Sequence, residues 1–187
     1  MRKSLYALFL MAALATPFAL GASAQGDNPM VGGAPMYRTK NIVENAVNSA
    51  DHTTLVAAVK AAGLVETLSG KGPFTVFAPT NAAFDKLPAG TVQTLLMPDN
   101  KAMLTKVLTY HVVSGRYDSK KLAQLIKKGG GMARLTTVSG GTLTARMNNM
   151  GGITLVDEKG GTSNVTTANV YQSNGVIHVV DTVLMPR

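Results

Sequence analysis

The stretch FTVFAPTNAAFDKLP, Phe74 to Pro88, passes from a two-residue repeat to a helical one through three residues that each restrict the backbone. Alternation places Phe74, Val76 and Ala78 on one face of a strand and Thr75 and Phe77 on the other. Both faces carry bulk, so the strand is expected inside a sheet. Pro79 has no N–H with which to extend a ladder, and it stops the strand. Thr80 or Asn81 then offers a side-chain oxygen to the unpaired N–H groups of a helix start, a cap worth about 1 kcal/mol. Phe84 and Leu87, three apart, return that helix to the core. Stop, cap and anchor account for every constrained residue, so the corner reads as architecture.

Upstream, NIVENAVNSADHTTLVAAVKAAGLVETLSG carries Ile42, Val43, Ala46 and Val47 at helical spacing. Leu55, Val56, Val59 and Ala62 follow on a second stripe that Gly63 ends, so two successive helices are expected. Downstream, DNKAMLTKVLTYHVV repeats the helical spacing through Met103, Leu104, Val107, Leu108 and His111. The rest changes character: ARLTTVSGGTLTARM, GGITLVDEKGG and SNVTTANVYQSNGVIHVVDTVLMP are β-branched runs split by Gly-Gly and Asn-Gly, the pattern of consecutive hairpins. Helices first and sheet later, with one early strand, predict an α+β fold.

The start of the chain bounds the setting. Arg2 and Lys3 precede an apolar run from Leu5 to Leu20, and Ala22-Ser23-Ala24 offers small residues where a signal peptidase reads them. This predicts a signal peptide over 1–24, a flexible Gly- and Pro-containing leader over 25–40, and one domain over 41–187. There is no cysteine, so an exported chain must fold without disulfides and has no thiol chemistry and no thiolate metal site. The net charge of +8 becomes +6 once Arg2 and Lys3 leave. A basic balance favours anionic partners, but few aromatics and no Trp argue against nucleic acid, whose single strands bind on stacking platforms.

Three segments, FTVFAPTNAAFDKLP, TYHVVSGRY and NGVIHVVDTVLMP, resemble in order and spacing the two boundary motifs and the central Tyr-His motif of the fasciclin domain. The resemblance runs from about Asn41 to Arg187. It implies a β-sheet wedge with helices packed beside it, in secreted or surface-tethered proteins associated with cell adhesion and matrix contacts. The Tyr-His neighbourhood, linked to adhesion in that family, matches Tyr110, His111, Val112 and Val113 here, with Ser114 where a proline is common. The aspartate of a short integrin-recognition segment in some animal relatives aligns with Asn169. Integrin recognition needs a carboxylate to meet a metal ion, so a neutral amide argues against that partner.

The residues permit a reading of their own beside the resemblance. His111 follows Leu104, Val107 and Leu108 at seven, four and three residues on one apolar face, which predicts a buried, hydrogen-bonded histidine. Tyr110, turned about 100° away, is expected at the rim of that packing. Asn174-Gly175 signals a type I′ turn, after which Val176, His178 and Val180 share one face and Ile177 and Val179 the other. Asp157-Glu158 ahead of Gly160-Gly161 reads as a solvated hairpin turn, because it lacks the spaced oxygen ligands of a calcium loop. The one dense cationic segment holds Arg116, Lys120, Lys121, Lys127 and Lys128 around a short amphipathic helix. It is either a solvated face or an anion site.

His52, His111 and His178 are isolated in sequence and no serine sits in a nucleophile elbow, so no enzyme, cofactor or metal site is expected. The expected function is attachment to a cell-surface or matrix protein or an anionic polysaccharide, secreted or periplasmic, with membrane-surface contact left open. Tyr110, His111, Arg116, Lys120, Lys121, Lys127 and Lys128 are the candidate partner-binding residues. The alternative is a soluble carrier of an apolar small ligand such as a lipid or carotenoid, which some relatives make conceivable.

Overall fold

The computed structural model describes residues 28–187, so the signal-peptide segment over 1–24 lies outside the described residues. Helices α1 (Ile42–Ala46), α2 (Thr53–Ala62) and α3 (Val65–Ser69) lead into β1 (Phe74–Pro79). Next come α4 (Asn81–Asp85), α5 (Thr91–Leu96), α6 (Lys101–Tyr110), β2 (Val112–Ser114) and α7 (Ser119–Lys128). Five strands close the chain: β3 (Met132–Thr136), β4 (Thr142–Met147), β5 (Ile153–Val156), β6 (Thr162–Gln172) and β7 (Gly175–Val180). The fold is α+β, as expected.

All seven strands form one sheet in the order β2-β1-β7-β6-β5-β4-β3. Only β1 and β7 run parallel, so the early strand slots beside the last one and lies inside the sheet. A bridge between Val113 and Thr137 brings the two ends of the row together, and the sheet curls into a near-barrel. Two hydrophobic cores result, one on each face of β1. Val76 and Ala78 pack with α2, α4 and α6, whereas Phe77 lies across the sheet with Leu122 and Ile126 of α7 and with Leu135, Leu143 and Leu155.

At the opening corner Thr80 is the cap, its hydroxyl accepting from Ala83 N at 3.2 Å. Asn81 does something else: it accepts from Thr54 N at 3.0 Å and donates to the Ala50 carbonyl at 2.9 Å, fastening the start of α2 to that of α4. Phe84 is buried and Leu87 packs against the same core.

Several expectations need correction. Leader residues from Asn28 onward are packed on the domain. Val31 and Met36 enter the core, and the Asn28 side chain accepts from Tyr171 N at 3.0 Å. Val47 points to solvent, since α1 is only five residues long. The α6 helix ends at Tyr110, with His111 as its C-cap, and Val112 and Val113 turn into β2. The β6–β7 turn is Ser173-Asn174 and Gly175 already belongs to β7, so the turn is not built on Asn174-Gly175. Neither turn residue has positive φ, which a type I′ turn requires. Asn174 instead ties helices to the sheet, accepting from Ile42 N at 3.0 Å and donating to Leu68 O at 2.8 Å. Gly175 is glycine because a Cβ there would lie 2.2 Å from the Phe74 carbonyl oxygen.

Candidate binding surface

Tyr110 and His111 mark the end of α6, and the structure buries both. His111 N bonds to Leu108 O at 3.1 Å, a tightened last turn that leaves Val107 O without its usual partner four residues on. The imidazole of His111 fills that gap, its Nδ1 lying 2.8 Å from Val107 O. Its Nε2 accepts from Leu184 N at 3.0 Å, and a ring with one donor and one acceptor is a neutral imidazole. Burial lowers its pKa to about 4, against smaller upward pulls from the Val107 hydrogen bond and Asp157.

Tyr110 is 0 % exposed and belongs to the core on the other side of the sheet. It is therefore not at a rim, because the core shared by α7 and the β3–β5 strands covers its ring. Its hydroxyl donates to Thr142 O at 2.8 Å and accepts from Glu158 N at 3.1 Å. Burial raises its pKa to about 12, with the Glu158 backbone bond opposing and the Glu158 and Asp157 charges adding to the rise. A Cβ at position 141 would stand 2.7 Å from the Tyr110 ring, so Gly141 makes room for it. The Asp157-Glu158 turn is correspondingly more than a solvated one. Asp157 is nearly buried and accepts from Gly161 N at 2.7 Å and Met185 N at 2.9 Å, pinning the hairpin to the C-terminal segment.

The cationic segment lies elsewhere. Asp118 caps α7, accepting from Lys121 N at 2.8 Å, while Leu122 and Ile126 bury one stripe against β3 and β4. Lys120, Lys121, Lys127 and Lys128 are left exposed. Lys121 folds back with its Nζ 4.4 Å from the Tyr117 ring centroid. Arg116 is exposed but donates to Gln172 O at 3.1 Å and Ser173 O at 3.3 Å, so it braces the β6–β7 turn. The candidate residues are thus not brought into one surface: two are core, one is a brace and four are a helix face.

Asn169 and His178 hold that helix in place. Asn169, at φ 62, accepts from Ser119 N at 2.8 Å and donates to Ser119 Oγ at 2.7 Å. His178 Nε2 lies 2.8 Å from Tyr117 O, and its ring stacks on Phe77 at 5.7 Å, so it is a buried structural group as its strand alternation implied. Burial lowers its pKa, opposed by the Tyr117 bond and Asp118.

Beside the N-terminal half of α7 runs an open cleft of about 430 Å³. Ala123, Met147, Ile153 and Val165 supply its apolar wall, and Ser119 and Lys120 its polar lip. A second, apolar cavity of about 60 Å³ lies among α1, α2, α3 and the sheet. His52 reaches its wall, with Nδ1 2.8 Å from Ser49 Oγ and Nε2 turned toward Ala78 without hydrogen-bond geometry. That space falls well below the roughly 300–1,000 Å³ of ordinary ligand pockets, so it offers no lipid-sized chamber.

A curled sheet with β1 inserted beside β7, a buried Tyr-His pair at the end of α6 and a capped strand-to-helix corner define a fold class that comparison identifies. The fasciclin domain profile matches residues 50–186, and the chain belongs to the fasciclin family. It is 47% identical over 145 residues to Protein sll1483 of Synechocystis sp., across 78% of this chain and 73% of that protein. It is 36% identical over 146 residues to Immunogenic protein MPB70 of Mycobacterium bovis, across 75% of this chain and 66% of that one. Among solved structures it is similar to a FAS1 domain pair from the insect cell adhesion molecule fasciclin I, with a TM-score of 0.70 at 21% identity. That match covers 82% of this chain and 52% of the pair, and what it shows is the shared fold.

Proposed function

We propose that this fasciclin domain is an exported, non-enzymatic attachment module that holds an anionic component of a cell surface or matrix through the outer face of α7. The observation that carries the reading is the partition of that helix. Leu122 and Ile126 are spent on the core, while Lys120, Lys121, Lys127 and Lys128 are all exposed. Such a face attracts an anionic polymer over the Debye length of about 8 Å and releases it as salt rises. Short-range contact comes from the cleft that Lys120 borders, with Met147, Ala123 and Val165 in the part that a surface tyrosine would otherwise play. Family membership supports the adhesion class, since a similar fold serves in an insect cell adhesion molecule.

The test is attachment to envelope material across a salt series. Replacing Lys120, Lys121, Lys127 and Lys128 by Gln is expected to slow association and flatten the salt dependence while leaving unfolding within about 0.5 kcal/mol of the parent. Full retention by that variant refutes the assignment.

A further inference from the structure

The solvent side of the sheet carries a second surface, set by strand register. On β4, Arg146 lies opposite Met132 of β3 and opposite Thr154 of β5, which in turn lies opposite Asn164 of β6. One pleat along, Arg134 lies opposite Thr144, which faces Val156 and then Thr162. The intervening Ala133, Leu143, Ala145 and Leu155 are buried, so both rows point to solvent. Strands are about 4.8 Å apart, and diagonal neighbours across a pair are about 7–8 Å apart, which is the backbone spacing between Arg134 and Arg146.

Two further observations concern charge. The Arg116 and Arg187 side chains bond to carbonyl oxygens, but neither the Arg134 nor the Arg146 guanidinium has a hydrogen-bond partner among the described residues. The rows hold no carboxylate, and the two at their margins are already engaged. Asp181 accepts from Asn164 N at 2.8 Å and Asn164 Nδ2 at 3.1 Å. Burial pushes its pKa up, but the Asn164 and Thr182 hydrogen bonds with Lys86 hold it below the usual range. Glu158 accepts from Thr142 N at 2.9 Å and Arg187 N at 3.2 Å.

We propose that this outer face of β3, β4, β5 and β6 docks a carboxylated polysaccharide. Each guanidinium offers two parallel N–H groups that match the two oxygens of a uronate. Thr144 and Thr162 offer hydroxyls at strand spacing to sugar hydroxyls, and Thr154, whose hydroxyl donates to Asn164 Oδ1 at 2.7 Å, keeps acceptor capacity for one more. A protein partner fits less well, because the face has no aromatic anchor and its apolar residues, Met132 and Val156, stand apart in different rows. The inference takes its partner class from the attachment reading but uses a different surface. The α7 helix packs on the opposite side of β3 and β4, so one domain can hold two polymer chains at once.

The experiment measures binding of the chain to polygalacturonate and to its fully methyl-esterified form by titration calorimetry at physiological ionic strength. Binding to the acid polymer and loss of binding on esterification are expected. Arg134→Gln with Arg146→Gln is expected to weaken binding at least tenfold. Arg134→Lys with Arg146→Lys is expected to recover little, because lysine restores charge without the fork. The variant with four α7 lysines replaced by Gln keeps this binding. Equal binding of the ester, an unaffected Gln pair or full recovery by the Lys pair overturns the proposal. If the α7 variant alone abolishes binding, the attachment reading stands and this one falls. Circular dichroism of each variant, all altered at exposed positions, confirms the fold.

Discussion

His111→Ala isolates the role of the Tyr-His motif. The ring serves two backbone groups that have no alternative: Val107 O, freed by the tightened end of α6, and Leu184 N in the C-terminal segment. Both are buried, and each orphaned group costs about 1–3 kcal/mol, to which lost side-chain volume adds. A total of roughly 3 kcal/mol is expected. With a urea m-value of about 1–3 kcal/mol per molar, the midpoint should fall by about 1–3 M at unchanged slope. The same group predicts acid sensitivity. Its folded pKa of about 4 lies below the ordinary histidine value of 6.5, so between these values the unfolded chain binds the extra proton. Its contribution is therefore fully present above 6.5 and is lost as pH falls toward 4, at up to about 1.4 kcal/mol per unit and on the order of 3 kcal/mol in all. His52 and His178 are lowered too, so His111→Ala should reduce that slope without abolishing it. Urea titrations at several pH values read both effects. Unchanged stability combined with lost attachment would refute the structural role and make His111 a contact residue.

Three further substitutions probe parts of the frame. Tyr110→Phe leaves Thr142 O and Glu158 N unserved and is expected to cost about 1–3 kcal/mol by chemical denaturation, with attachment retained. Gly175→Ala drives a Cβ against Phe74 O in the one parallel strand pair, and thermal unfolding should show a loss of about 3 kcal/mol. Asn169→Asp keeps the acceptor for Ser119 N but loses the donor to Ser119 Oγ. A loss of about 1 kcal/mol is expected, with faster amide exchange in the first turn of α7.

What the sequence made legible follows from how local the physics is. The alternation in Phe74–Ala78 located both cores because a strand inside a sheet must bury both faces, and the cap and anchor after Pro79 act within one helical turn. Leu104, Val107 and Leu108 showed that His111 faces apolar neighbours whether or not the helix continues, so its burial was readable although its position beyond the helix end was not. Tyr110 was misplaced because what covers it is remote in sequence: the ring meets Gly141 and the Asp157-Glu158 hairpin, more than thirty residues away. Asn81, Asn169 and Asn174 were read as a cap candidate, an aligned position and a turn signal, and their actual roles were hidden for a related reason. Each is a short amide of a kind expected in any turn, and its value lies in bonds to segments remote in sequence. The cationic helix was legible as a composition bias, but its separation from Tyr110 required knowing that the tyrosine is buried in the core that Leu122 and Ile126 share while the lysines face solvent. The Arg134 and Arg146 face was the least legible of all. The two are twelve residues apart on different strands, and only the pairing of Arg134 with Thr144 sets both on the solvent side of the same pleat. A surface assembled by register rather than by run or period leaves no trace in any single stretch of chain, which is why binding faces on antiparallel sheets are found from pairing and not from motif.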